Sequence, residues 1–142
     1  MKQRMRLLLM LAGAAVLALS SIALAEQDSI GMLEFQKQCA ACHGMDGKGT
    51  GPFLEFLKQT PSDLTMLSKK NEGVFPYKQV YQWIEDPQRV RAHGTSEMPI
   101  WGDRYNSEVI EKYGPYDTGI GAAKEVQARI LELVFFLATI QE

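Results

Sequence analysis

Apolar residues recur along this chain at helical spacing, and nowhere do they alternate with the period of a strand. Gly31, Phe35 and Cys39 fall four apart on one face of a first helix, which Asp28 or Ser29 is placed to cap. Gly31 on that stripe lets a second helix cross closely. Pro61-Ser62-Asp63 opens a short helix with Leu64 and Leu67 inward, and Asn71-Glu72-Gly73 ends it. Tyr77, Val80, Tyr81 and Ile84 mark one face of a helix over Tyr77 to Glu85, which Asp86-Pro87 stops. The longest pattern runs from Ala122 to Ile140, with Val126, Ile130, Leu133, Val134 and Leu137 as its stripe and Phe136 and Ile140 extending it. Between these lie loops: Gly44 to Pro52, Arg89 to Arg104, and Tyr113 to Gly121, with at most one turn of helix over Glu108 to Tyr113. Phe53 to Lys58 is at best weakly amphipathic. The pattern predicts an all-α domain with three to five helices and long loops.

The N-terminus follows a different rule. Lys2, Arg4 and Arg6 precede an apolar run from Leu7 to Leu19, and Ala23-Leu24-Ala25 supplies small residues at a cleavage position. Residues 1–25 therefore read as a signal peptide and residues 26–142 as one exported domain. Retention of the apolar stretch as an anchor is the competing reading. The whole chain carries −2, and Lys2, Arg4 and Arg6 are the only charges before Ala25, so residues 26–142 carry −5. That balance argues against a nucleic-acid partner. No second long apolar segment follows, so stable membrane insertion of the mature chain is not expected.

Chemistry concentrates at Cys39-Ala40-Ala41-Cys42-His43. Two thiols three positions apart, with a histidine directly after, form the attachment pattern for a c-type haem. The spacing puts both sulfurs on one side of a helical turn, where they can add across the two haem vinyl groups. His43 then supplies the proximal imidazole. A thioredoxin-like pair would need a strand–helix–strand setting that is not present. A closed four-ligand zinc site would have to use Cys39, Cys42, His43 and His93 all together, and such a set is hard to assemble. A plain Cys39–Cys42 disulfide is the remaining alternative for an exported chain.

An iron that only passes electrons needs a second axial ligand. Met98, in Glu97-Met98-Pro99-Ile100-Trp101-Gly102, lies in a loop far enough from His43 for the chain to return on the opposite haem face. Its soft thioether favours reduced iron and raises the potential. Met45 is too close to His43 in sequence, and Met32 and Met66 fall on predicted helices. His93 is the rival ligand. The ring of a proximal histidine needs an acceptor for its other nitrogen; the Pro52 carbonyl is one candidate, and Pro52 as a simple turn-closer is the other. Trp101, Tyr105, Arg91 and Arg104 could reach haem propionates or serve as ordinary amphipathic surface, the second use being favoured for each.

Taken together these residues resemble the class I cytochromes c, the small monohaem electron carriers, over nearly all of residues 26–142. Gly31 and Phe35 are similar to that family's first-helix contacts, and Leu133 and Phe136 to their partners on the last helix. Thr50-Gly51-Pro52 is similar to the loop whose proline carbonyl accepts from the proximal histidine, and Met98-Pro99 to the distal ligand segment. Gly73-Val74-Phe75-Pro76, Ala92-His93-Gly94 and Met98 to Gly102 resemble a bacterial periplasmic subgroup. The resemblance implies one covalent haem c held by Cys39 and Cys42, axial ligation by His43 and Met98, redox proteins as partners, and no enzymatic activity. Two other roles stay open: a cytochrome subunit of a dehydrogenase or oxidase complex, and a five-coordinate haem sensor or peroxidase-like protein. The stretch from Pro99 to the last helix, with Tyr105, Tyr113 and Tyr116, is longer than the family pattern.

Overall fold

The computed structural model describes residues 29–86, 98–114 and 120–142. Among them there are six α-helices, two short 3₁₀ turns and no strand. Helix α1 spans Ile30–Gln38, α2 Ala40–His43, α3 Leu67–Lys70, α4 Tyr77–Glu85, α5 Trp101–Tyr113 and α6 Ile120–Thr139. Four of these run nine residues or longer, within the expected number; α2 and α3 are single turns. The 3₁₀ turns are Pro52–Phe56 and Leu64–Met66, so both short segments between the main helices are tighter than an α-helix.

Ser29 rather than Asp28 caps α1: its Oγ accepts from the Met32 amide at 3.1 Å. The helix buries Gly31 and Phe35 against α6. A Cβ built at Gly31 would collide with the Glu132 backbone carbonyl and approach the Phe136 Cβ to 2.9 Å. Only glycine permits that crossing. One turn on, the Phe35 and Phe136 rings meet at 5.2 Å between centroids. The α1–α6 contact implied by the resemblance to the class I cytochromes c is thus present in the fold.

Helix α6 is the organising element, with α1, α4 and α5 all packing on it. Its Ile130, Leu133, Val134 and Leu137 are buried, each contributing roughly 1.5–3 kcal/mol on burial. They join Phe35, Leu67, Phe75, Val80, Ile84, Trp101 and Tyr105 in one cluster.

Helix α5 departs from expectation. A loop was predicted up to Arg104 with at most one turn after it, yet α5 begins at Trp101 and runs 13 residues. Trp101, Tyr105 and Val109 sit four apart and are all buried, and Arg104 pairs with Glu108 on the same helix at 3.5 Å. The preceding Pro99 and the Gly102 in the first turn disguise this stripe. Burial also overturns the surface reading of Trp101 and Tyr105: both are core residues, their rings 5.6 Å apart.

Candidate functional site

Helix α1 delivers the Cys39–His43 motif. Its ladder continues through the Cys39 amide, which donates to the Phe35 carbonyl at 2.8 Å, and the chain then bends into α2. His43 closes that turn, its amide donating to the Cys39 carbonyl at 2.9 Å. Gly44 ends it with a φ of 79°, a conformation a side chain would strain. Cys39 and Cys42 are both half-buried, and no disulfide joins them.

The glycine-rich loop folds back over the motif. The Gly49 amide donates to the His43 carbonyl at 2.7 Å and the Gly51 amide to the Cys42 carbonyl at 3.1 Å. At Gly51 any Cβ would strike the Ala41 carbonyl. The Asp46 carboxylate stiffens the bend by accepting from the Lys48 amide at 3.1 Å.

His43 is oriented from elsewhere than expected. Its Nδ1 lies 3.2 Å from the carbonyl of Ser62, not that of Pro52. Pro52 instead opens the 3₁₀ turn, where a missing N–H costs nothing. A backbone carbonyl only accepts, so Nδ1 carries the proton and Nε2 keeps its lone pair. Burial lowers the His43 pKa, and the Ser62 bond opposes part of that shift. A neutral imidazole with a fixed tautomer is what a metal ligand requires. Nothing in the local sequence marks Ser62, nineteen residues away, for this role.

Met98 is half-buried and packs against the apolar cluster, immediately before the turn into α5. Met45, by contrast, is 67 % exposed. His93, Arg91 and Tyr116 lie outside the described residues, as does the predicted signal peptide at 1–25. Arg104 lies 5.1 Å above the Trp101 ring and pairs with Glu108, so its charge is engaged locally.

The donor chemistry fits a covalently attached haem. Burial, then Glu34 and then Cys42, push the Cys39 thiol up to about 12. A neutral thioether is compatible with that half-buried environment. Among the described residues, no group of three or more His, Cys, Asp or Glu side chains is placed to hold a metal ion. Among the described residues, an open groove of about 560 Å³ is lined by residues from Tyr77 to Glu85 and from Gln127 to Phe135, and no residue of the Cys39–His43 motif borders it.

Beside the motif lies a second arrangement that the sequence did not announce. Arg129 of α6 pairs with Glu34 of α1 at 2.7 Å and Glu108 of α5 at 2.8 Å, and its guanidinium lies 3.9 Å over the Tyr105 ring. Burial, then the Glu34 charge, raise the Tyr105 hydroxyl well above its ordinary pKa, so it stays protonated.

No curated protein and no solved structure matches the chain. The family model described as Cytochrome c matches residues 31–112, more than half of the chain, from the crossing glycine through both candidate ligands into α5. With an all-α fold, a free thiol pair on one turn and a histidine whose outer nitrogen is tied to a carbonyl, this chain belongs to the cytochrome c family, and its cofactor is one covalent haem c.

Proposed function

We propose that the chain is a one-electron carrier working in the periplasm, with His43 and Met98 as the axial ligands of its haem iron. Haem c supplies reversible Fe(II)/Fe(III) chemistry. Cys39 and Cys42 anchor the macrocycle as thioethers. His43 offers Nε2 because the Ser62 carbonyl holds its Nδ1 proton. Met98 fills the other axial position with a soft donor, which favours the reduced state and leaves no open site for a substrate. The observation that carries this reading is the placement of Met98, half-buried against the same apolar cluster as Phe35 and Trp101.

The basic residues before Leu7, the apolar run and Ala23-Leu24-Ala25 support export and cleavage. The −5 charge on residues 26–142 supports a redox protein, not a nucleic acid, as partner. Among the described residues, no helix is long and apolar enough to cross a membrane.

Absorption spectra of the ferric holoprotein test the ligation. The methionine-to-iron charge-transfer band is expected in the wild type, lost in Met98→Ala and retained in His93→Ala. Survival of the band in Met98→Ala would remove Met98 from the iron. A wild type without the band that binds cyanide rapidly would instead be a five-coordinate sensor or peroxidase-like protein. Co-migration of the native protein with a large enzyme would replace the free carrier by a bound subunit.

A further inference from the structure

We propose that Gln141 is a positioning residue for the proximal histidine, acting through the segment that presents the Ser62 carbonyl. This deepens, and rests on, the reading of His43 as an iron ligand.

The chain beyond α6 turns back across the Leu64–Met66 turn and α3. The Gln141 side chain uses both ends of its amide there. Nε2 donates to the Leu64 carbonyl at 2.9 Å and to the Leu137 carbonyl at 2.6 Å, while Oε1 accepts from the Ser68 amide at 2.8 Å. The next residue adds a backbone bond, the Glu142 amide donating to the Thr65 carbonyl at 2.9 Å. Glu142 also pairs with Lys48 at 2.7 Å, in the loop that follows His43. From the other side, the Leu64 amide donates to the Gly47 carbonyl at 2.8 Å. Residues 64–68 are thereby fixed between the end of α6 and the loop after the haem motif. Ser62, two positions before them, carries the acceptor for His43 Nδ1.

The geometry has a chemical consequence. A firm Nδ1–H···O bond gives the imidazole more anionic character and makes Nε2 a stronger donor to iron. Stronger donation favours Fe(III). Loosening the segment weakens the bond, favours Fe(II) and raises the midpoint potential. A strap that served only to pin the C-terminus would leave both the potential and the His43 ring proton unchanged.

The test uses full-length holoprotein with Gln141→Met, which keeps length and removes every hydrogen bond, and Gln141→Glu, which keeps an acceptor for Ser68 and loses both donors. NMR reads the haem-shifted His43 ring N–H, and a redox titration reads the potential. Both variants should raise the midpoint potential and speed exchange of the ring proton by about tenfold, with the methionine charge-transfer band intact. Wild-type potential and exchange in either variant would overturn the proposal. Absence of the haem-shifted ring proton from the wild type would instead sink the ligand assignment of His43. Hydrogen exchange on the unaltered holoprotein gives an independent arm. The Ser68 and Glu142 amides and the His43 ring proton should share one opening event across a denaturant series. A ring proton still protected after the Ser68 amide has exchanged would also overturn the proposal.

Discussion

Arg129 ties three helices with one guanidinium. Its side chain is 20 % exposed and that of Glu34 14 %, so both charges have lost most of their water. Removing one member of such a group is costly because its partner is left half-buried and unpaired. Arg129→Met should destabilise the ferric holoprotein by about 2–3 kcal/mol in urea unfolding, with the apolar stem largely preserved. Glu108 adds a pH dependence. The hydrogen bond from Arg129 lowers its carboxyl pKa, and Arg104 contributes further. Its folded value thus lies below the unfolded one, so the stabilisation is complete above the ordinary value of 4.5 and is lost as pH falls through the lowered value. Acid unfolding of Arg129→Met should show a shallower slope over that window. A slope equal to the wild type would mean that Glu108 draws nothing from Arg129. None of this was readable from sequence, since Arg129 and Glu34 stand 95 positions apart.

At the scale of elements, the crossing of α1 and α6 sets two effects against each other at Gly31. Alanine favours a helix interior over glycine by about 1 kcal/mol. A Cβ there would strike the Glu132 backbone, which has less room to yield than a side-chain tip. Overpacking of this kind costs about 1–3 kcal/mol or more. Gly31→Ala should therefore be net destabilising, by about 1–2 kcal/mol in thermal or urea unfolding, and Gly31→Val more so. A stabilised Gly31→Ala would show that the helices separate at little cost. Gly31 on the Phe35 stripe marked a close helix crossing, and the resemblance to the class I cytochromes c implied that the last helix makes it. Helix α5 was not legible at its start. Proline and glycine flank Trp101, and only the burial of Trp101, Tyr105 and Val109 on one face reveals the helix.

For the whole molecule, a covalently bound haem bears directly on folding. The apolar cluster is modest, and Cys39 and Met98 are only partly buried at its edge. A small domain of this kind depends on an added apolar surface. The double variant Cys39→Ser, Cys42→Ser, which cannot form either thioether, should lose most of its cooperative thermal transition by circular dichroism. Its helical signal should also fall below that of the holoprotein. A sharp transition at wild-type temperature would show that the polypeptide folds without help from haem.

The sequence by itself determined the haem motif and the helical class, while its resemblance to the class I cytochromes c implied the α1–α6 contact and the candidate ligand pair. The first two rest on spacing within one helix or on a short motif, and such local rules survive in any fold that buries the stripe. Tertiary structure alone decided that Ser62 rather than Pro52 holds His43, that Arg129 joins α1, α5 and α6, and that Gln141 straps residues 64–68 to the end of the last helix. Those bonds link residues 19 to 95 positions apart. They depend on where backbone carbonyls and charged tips meet once the helices have packed, which no periodicity encodes.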